Sequence, residues 1–193
     1  MNDLELAYDA LNGKKAAYDL YWRYYDGDHP VVYAASRLRE IFNNLDVSFN
    51  ENWCEVVVAA ELERINLRGL RAPNNTAAQA RLDELWTLNQ LGLESDDAHE
   101  AALVTGEAFL VVWPGEPTGT PRAYYNDPRL CHVFYDSENP RLKRYAAKWW
   151  RDDEGYVRLT LYYRERIEYY ISQTKTDTAL SARSFVATGD PAA

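Results

Sequence analysis

Cysteine, histidine and glycine-rich loops are scarce in this chain, and each shortage removes a class of function. Two cysteines occur, Cys54 and Cys131. Neither belongs to a Cys-x-x-Cys pair or has zinc-ligand spacing around it, so there is no disulfide framework or structural zinc site. Both are expected to be small buried hydrophobes in a reducing compartment. No apolar run is long enough to span a membrane, and Asp3, Glu5 and Asp9 near the start do not suit a signal peptide. A soluble product made in a cytoplasm is expected. Gly115 and Gly119 lie in a Pro-rich loop with neither a Lys nor a helix after them, which excludes a phosphate loop. For a nucleophile triad the candidates are Ser36 or Ser48 with His29 or His132, but no Gly-x-Ser-x-Gly elbow presents either serine.

Positive charge is also short. The net charge is −9. Residues 1–121 hold 9 Lys/Arg against 20 Asp/Glu, and residues 122–193 hold 12 against 10. The acidic part cannot clamp DNA, because phosphate binding needs a basic surface.

Aromatic side chains, by contrast, are abundant: 15 Tyr and 6 Trp. Such residues bury much area while keeping a polar edge, which suits interfaces as well as cores. Tyr18, Tyr21, Trp22 and Tyr25 fall at i, i+3, i+4 and i+7, one stripe of a helix. Tyr24-Tyr25-Asp26-Gly27-Asp28-His29-Pro30 then stops that helix, since Gly27 is free to take a left-handed backbone and Pro30 cannot continue the pattern.

The spacing predicts helices up to about residue 25, with a possible break at Asn12-Gly13, and over Ala34–Leu45. Asn52 is expected to cap a helix from Trp53 to Glu63; the segment is apolar nearly all round, so it either sits deep in a core or is a strand, and helix is the reading taken. Ile65–Leu70 reads as a short strand. Thr76 is expected to cap a helix through Leu91 that Gly92 ends, and Ser95 one that Gly106 ends. Strands are predicted over Glu107–Trp113, Arg129–Tyr135, Arg144–Trp150, Tyr156–Tyr163 and Ile167–Ile171, with a hairpin turn at Asp152–Gly155. Helices followed by strands give an α+β fold with a mainly antiparallel sheet. Residues 1–106 form its helical part, 107–173 its β part, and 174–193 a polar, frayed tail.

Candidate chemistry is thin. Asp96, His99 and Glu100 stand at i, i+3 and i+4 and offer hard metal ligands, yet also read as a capped, solvated helix start. Asp26, Asp28 and His29 are ordinary turn residues. Thirty acidic residues allow many carboxylate pairs, so no pair is informative. Arg141, Lys143, Arg144, Lys148 and Arg151 form a basic cluster around Trp149 and Trp150, the best place for stacking a single-stranded base or an acidic partner. Alternation along the strand sends the two tryptophans to opposite faces, so one is expected in the core. We therefore expect no catalytic residue, no metal and no cofactor. An aromatic-rich binding module for protein or single-stranded nucleic acid is the alternative to a structural role.

Several segments, in order, resemble the portal proteins of tailed bacteriophages. They are Tyr24–Pro30; Asn52-Trp53 through Val56-Val57-Val58; Glu63–Gly69; Trp86–Leu91; Ala102–Val111; and Arg144–Trp150 with Asp153-Glu154-Gly155. The resemblance implies a wing-like domain of a head–tail connector and a structural protein that is not an enzyme. It implies a ring of about a dozen subunits at one capsid vertex. Through that ring a terminase motor drives double-stranded DNA, and the ring later joins the tail. Its partners would be other portal subunits, capsid protein, terminase and head-completion proteins, without a membrane. The location would be the virion, after synthesis in the host bacterial cytoplasm. An acidic surface would let DNA slide past without sticking. Portal proteins of this family are longer, with channel helix, clip and crown beyond the matched part, whereas this chain stops at Ala193. A fragment, a prophage remnant or a short relative is expected, monomeric in isolation and unable to conduct DNA alone. No DNA-contacting residue carries over.

Overall fold

The computed structural model describes residues 2–28, 52–114, 119–175 and 180–189. The expected helix Ala34–Leu45, together with His29, Ser36, Ser48 and Gly115, lies outside them. The described chain is α+β, with helices first and antiparallel strands after. It divides into two compact units, one made of residues 1–16 and 126–193, the other of residues 17–125.

Helix α1 runs without interruption from Asp3 to Tyr25. Gly13 does not break it, because one glycine costs a helix only about 1 kcal/mol, which neighbouring turns and packing absorb. The first part of α1 lies on a five-stranded sheet in the first unit. That sheet is an antiparallel meander of β3 (Cys131–Tyr135), β4 (Lys143–Arg151), β5 (Val157–Tyr162), β6 (Ile167–Ser172) and β7 (Phe185–Thr188). Alternation sends Tyr145, Ala147 and Trp149 of β4 and Val157, Leu159 and Leu161 of β5 towards the helix. Ala147 lies opposite Leu161, and Trp149 opposite Leu159. Ala7 and Leu11 of α1 close this core and are fully buried with Leu159 and Leu161. The Asp152–Gly155 turn forms as expected. Gly155 has φ +88°, and Asp152 Oδ1 accepts from the Tyr156 N–H at 2.9 Å.

Strand β7 corrects the expected fraying of the tail. Phe185 to Thr188 pair with Ser172 to Tyr169, and Phe185 is buried in the core. A 3₁₀ turn at Ala182–Ser184, closed by reciprocal Ser181 and Ser184 contacts, delivers the strand.

In the second unit α2 (Trp53–Leu62), α3 (Thr76–Leu88) and α4 (Leu91–Thr105) precede a two-stranded sheet of β1 (Phe109–Trp113) and β2 (Arg122–Asn126). Asn52 caps α2 as expected, its Oδ1 accepting from the Glu55 N–H at 3.1 Å. Its Nδ2 donates to the Tyr25 carbonyl at 2.7 Å, tying the end of α1 to the start of α2. Gly27 sits beside this joint at φ +74°, where an added Cβ would stand 3.3 Å from Asn52 Nδ2. Contrary to expectation, α2 is not deep in a core. It has no buried residue, and among the described residues its packing is against α4.

Three further expectations need correction. Ile65–Leu70 is neither helix nor strand, and its apolar side chains stay half exposed with no neighbouring strand among the described residues to pair with. The cap of α3 is Asn75, one residue earlier than Thr76, and the helix ends at Leu88. It ends there at buried Asn89, whose side chain bridges the last turn to the segment around β2. Asn89 Nδ2 donates to the Leu85 and Pro121 carbonyls, and Oδ1 accepts from the Ala123 N–H at 2.9 Å. Gln90 then goes left-handed at φ +48°, so α4 begins at Leu91 with Gly92 and Ser95 inside it. Ser95 is buried and donates to the Gly92 carbonyl at 2.8 Å instead of capping. Gly106 closes α4 at φ +86°, as expected. Strand β2, which sequence reasoning missed, is held to the helices by Asn89 through Ala123.

Candidate interaction surface

The first unit carries a cleft built from α1 and the open end of β4. Tyr8, Asn12 and Lys15, at i, i+4 and i+7 on α1, form one wall. Leu130, Trp149, Trp150, Arg151, Val157 and Leu180 form the rest. The cleft exists because β3 begins at Cys131, opposite Lys148, leaving Trp150 and Arg151 beyond the paired edge. Its room is about 160 Å³. Small-molecule sites usually offer roughly 300–1,000 Å³. This one suits a single side chain.

The walls are fixed. Tyr8 meets Trp149 edge to face at 5.9 Å, and its hydroxyl donates to the Leu180 carbonyl. Burial, helped by the nearby Asp9 carboxylate, pushes the Tyr8 phenol up from its ordinary value, so it stays a donor. Trp149 Nε1 donates to the Arg129 carbonyl at 3.1 Å. Trp149 is thus the tryptophan of the pair that belongs to the core, as alternation required. The Trp150 ring has the Lys148 ammonium 5.6 Å from its centroid, a cation–π contact that occupies the indole. Lys15 and Arg151, both exposed, leave the rim cationic.

The basic cluster divides. Arg144 reaches Asp3 at 3.7 Å and lies over Tyr145, and it is exposed like Arg141 and Lys143. Cys131 is buried as expected, and the Lys14 ammonium donates to its carbonyl. Cys54 is exposed, contrary to expectation, because α2 turns that side to solvent. His132 stacks edge to face on Phe134 at 4.7 Å, a packing role.

The second unit is strongly acidic. It holds 8 Lys/Arg against 17 Asp/Glu, a net −9, while the first unit holds 13 of each. On α4, Leu93 is 65% exposed, and Asp96 and Asp97 follow at i+3 and i+4 on the same exposed face. Glu100 is engaged by Tyr25, whose phenol burial raises first and the Glu100 carboxylate raises further. Asp96, His99 and Glu100 therefore do not converge. Among the described residues no group of three or more His, Cys, Asp or Glu is placed to hold a metal ion. Asp28 pairs with Arg23 at 3.2 Å. Within the aromatic stripe, Tyr18 lies 6.1 Å from Tyr21 and Trp22 lies 5.5 Å from Tyr25, ring to ring. Tyr18 donates to Glu107 at 2.9 Å, and its phenol is pushed up to about 12 by burial and by that carboxylate.

Several large apolar side chains of this unit face solvent: Val56 and Val57 on α2, and Leu110 and Val112 on one side of β1. Large apolar side chains left in solvent are the kind of surface that docks another molecule. No helix among the described residues is long and apolar enough to cross a membrane. Sequence reasoning missed the cleft, although the Tyr8, Asn12, Lys15 spacing was there to see.

Compared with known proteins, the chain matches the family described as phage portal protein, SPP1 Gp6-like, over residues 8–189. No curated protein matches it.

Proposed function

We propose, from the premise that the chain belongs to the SPP1 Gp6-like phage portal protein family, that it is a subunit of the ring through which phage DNA enters and leaves the head. The role is structural. The described region supplies the peripheral, wing-type part of the ring, at one vertex of the capsid, and performs no catalysis. Neighbouring subunits, capsid protein, terminase and head-completion proteins are its partners, and double-stranded DNA is the cargo of the assembled ring.

The observation that carries this reading is the family match across residues 8–189. Two physical features support it. A closed ring is built from head-to-tail contacts between unlike surfaces, which need extended docking faces and no deep polar pocket. The exposed apolar residues of the second unit suit that role. A net −9 on that unit also disfavours adhesion to a polyanion, as a conduit requires. Deleting the coding sequence from the phage or prophage that carries it tests the reading. Heads that assemble without DNA are expected; DNA-filled heads at normal yield would overturn it.

A further inference from the structure

The cleft of the first unit has a cationic rim and apolar walls, and the same chain carries a matching plug. We propose that the cleft of Tyr8, Lys15, Trp150 and Arg151 receives Leu93 from α4 of a second copy, with that copy's Asp96 and Asp97 meeting Lys15 and Arg151. This rests on the ring reading above and names the surfaces that would join neighbouring subunits.

Size, chemistry and charge agree. Room for about 160 Å³ admits one side chain, and Trp149, Val157 and Leu180 offer it an apolar bed. Leu93 is 65% exposed on a helix face whose next members, Asp96 and Asp97, are exposed carboxylates. An apolar tip with two carboxylates one turn on fits an apolar hole with two cations at its rim. The two units carry net charges of 0 and −9, so the acidic partner a cationic rim calls for is already present on every copy. The contact is also heterologous: plug and hole are different surfaces of one chain, and each copy uses both, as repeated head-to-tail association demands. A nucleic acid has less to stack on, since Lys148 already lies over one face of the Trp150 ring.

Charge swapping tests this with the full chain. One variant carries K15E and R151E, the other D96K and D97K; circular dichroism and a thermal melt establish that both fold. Sedimentation velocity at high protein concentration and low salt is the readout, because rim charges act most strongly there. Wild type is expected to self-associate under these conditions, in place of the monomer expected from sequence alone, and each variant alone about tenfold more weakly or worse. An equal mixture should recover association, because acid again faces base at every contact. Leu93→Ala, with all charges kept, should also weaken it. Wild type, both variants and their mixture sedimenting alike would overturn the proposal. So would tight binding of a fluorescent single-stranded oligonucleotide that is lost with K15E/R151E. Neither result touches the deletion test, so failure of the docking surface is distinguishable from failure of the portal reading.

Discussion

Asp3 and Tyr163, 160 residues apart in the chain, are joined by a 2.9 Å hydrogen bond from the phenol to Oδ2. The bond ties the first turn of α1 to the sheet. The Arg144 guanidinium stands 3.7 Å from the other carboxylate oxygen, and the Arg166 guanidinium lies 4.0 Å above the Tyr163 ring. Tyr163→Phe removes only the hydroxyl. A neutral donor to a charged acceptor, partly buried, is worth about 1–2 kcal/mol. A lower urea midpoint with an unchanged m-value is the expected result.

Alkaline pH should act on the same region. Burial, then the Asp3 hydrogen bond and charge, raises the Tyr163 phenol well above its ordinary value. Burial and the Asp3 charge push Tyr145 up to about 12. Raised folded values mean the native state holds these protons more tightly than the unfolded chain does. Their stabilisation is therefore complete below pH 10, the ordinary tyrosine value, and is lost as pH rises towards about 12. Thermal melts should show a midpoint that falls from pH 10 upwards, less steeply in Tyr163→Phe.

One substitution, glycine to alanine, should have opposite signs at two sites. Gly13 lies within α1 with open space around it, so Gly13→Ala should stabilise by about 0.5–1 kcal/mol. Gly27 has φ +74° and Asn52 Nδ2 at 3.3 Å from an added Cβ. Gly27→Ala should cost about 1–2 kcal/mol. Equal effects at the two sites would mean that the α1–α2 joint is not built as described.

Leu11 is fully buried between α1 and the sheet. Leu11→Ala leaves a cavity and should cost about 2–5 kcal/mol, read from chemical denaturation.

What the sequence disclosed and what it hid follow from range. The Asn52 cap, the Gly106 stop and the Asp152–Gly155 turn are local, each decided by a few adjacent residues, and all were legible. Strand β7 was not. Phe185–Thr188 sits in a small, polar stretch, and only its pairing with Tyr169–Ser172 makes it a strand. The end of α3 was misplaced because Asn89 serves Pro121 and Ala123, more than thirty positions on. The helical pattern of α2 was readable but its exposure was not, since periodicity reports a face and not what covers it. The cleft needed β3 to start late enough to leave Trp150 and Arg151 uncovered, a matter of register. Family membership was legible because it rests on several short patterns in order, each too weak alone.

As part of the conduit proposed above, an acidic chain should not hold DNA. At about 0.15 M salt, where fields reach only about 8 Å, the chain should leave a labelled duplex unshifted in a gel. Replacing the exposed Asp83 and Glu84 of α3 and Asp96 and Asp97 of α4 by lysine should produce a salt-sensitive shift.

The central claim is position within the particle. Phage heads carrying a tagged copy of this chain, labelled with gold and imaged by electron microscopy, test it most directly. Gold confined to a single vertex of each head is the expected result. Gold spread over the shell, or absent from purified particles, would contradict the proposed place in the ring.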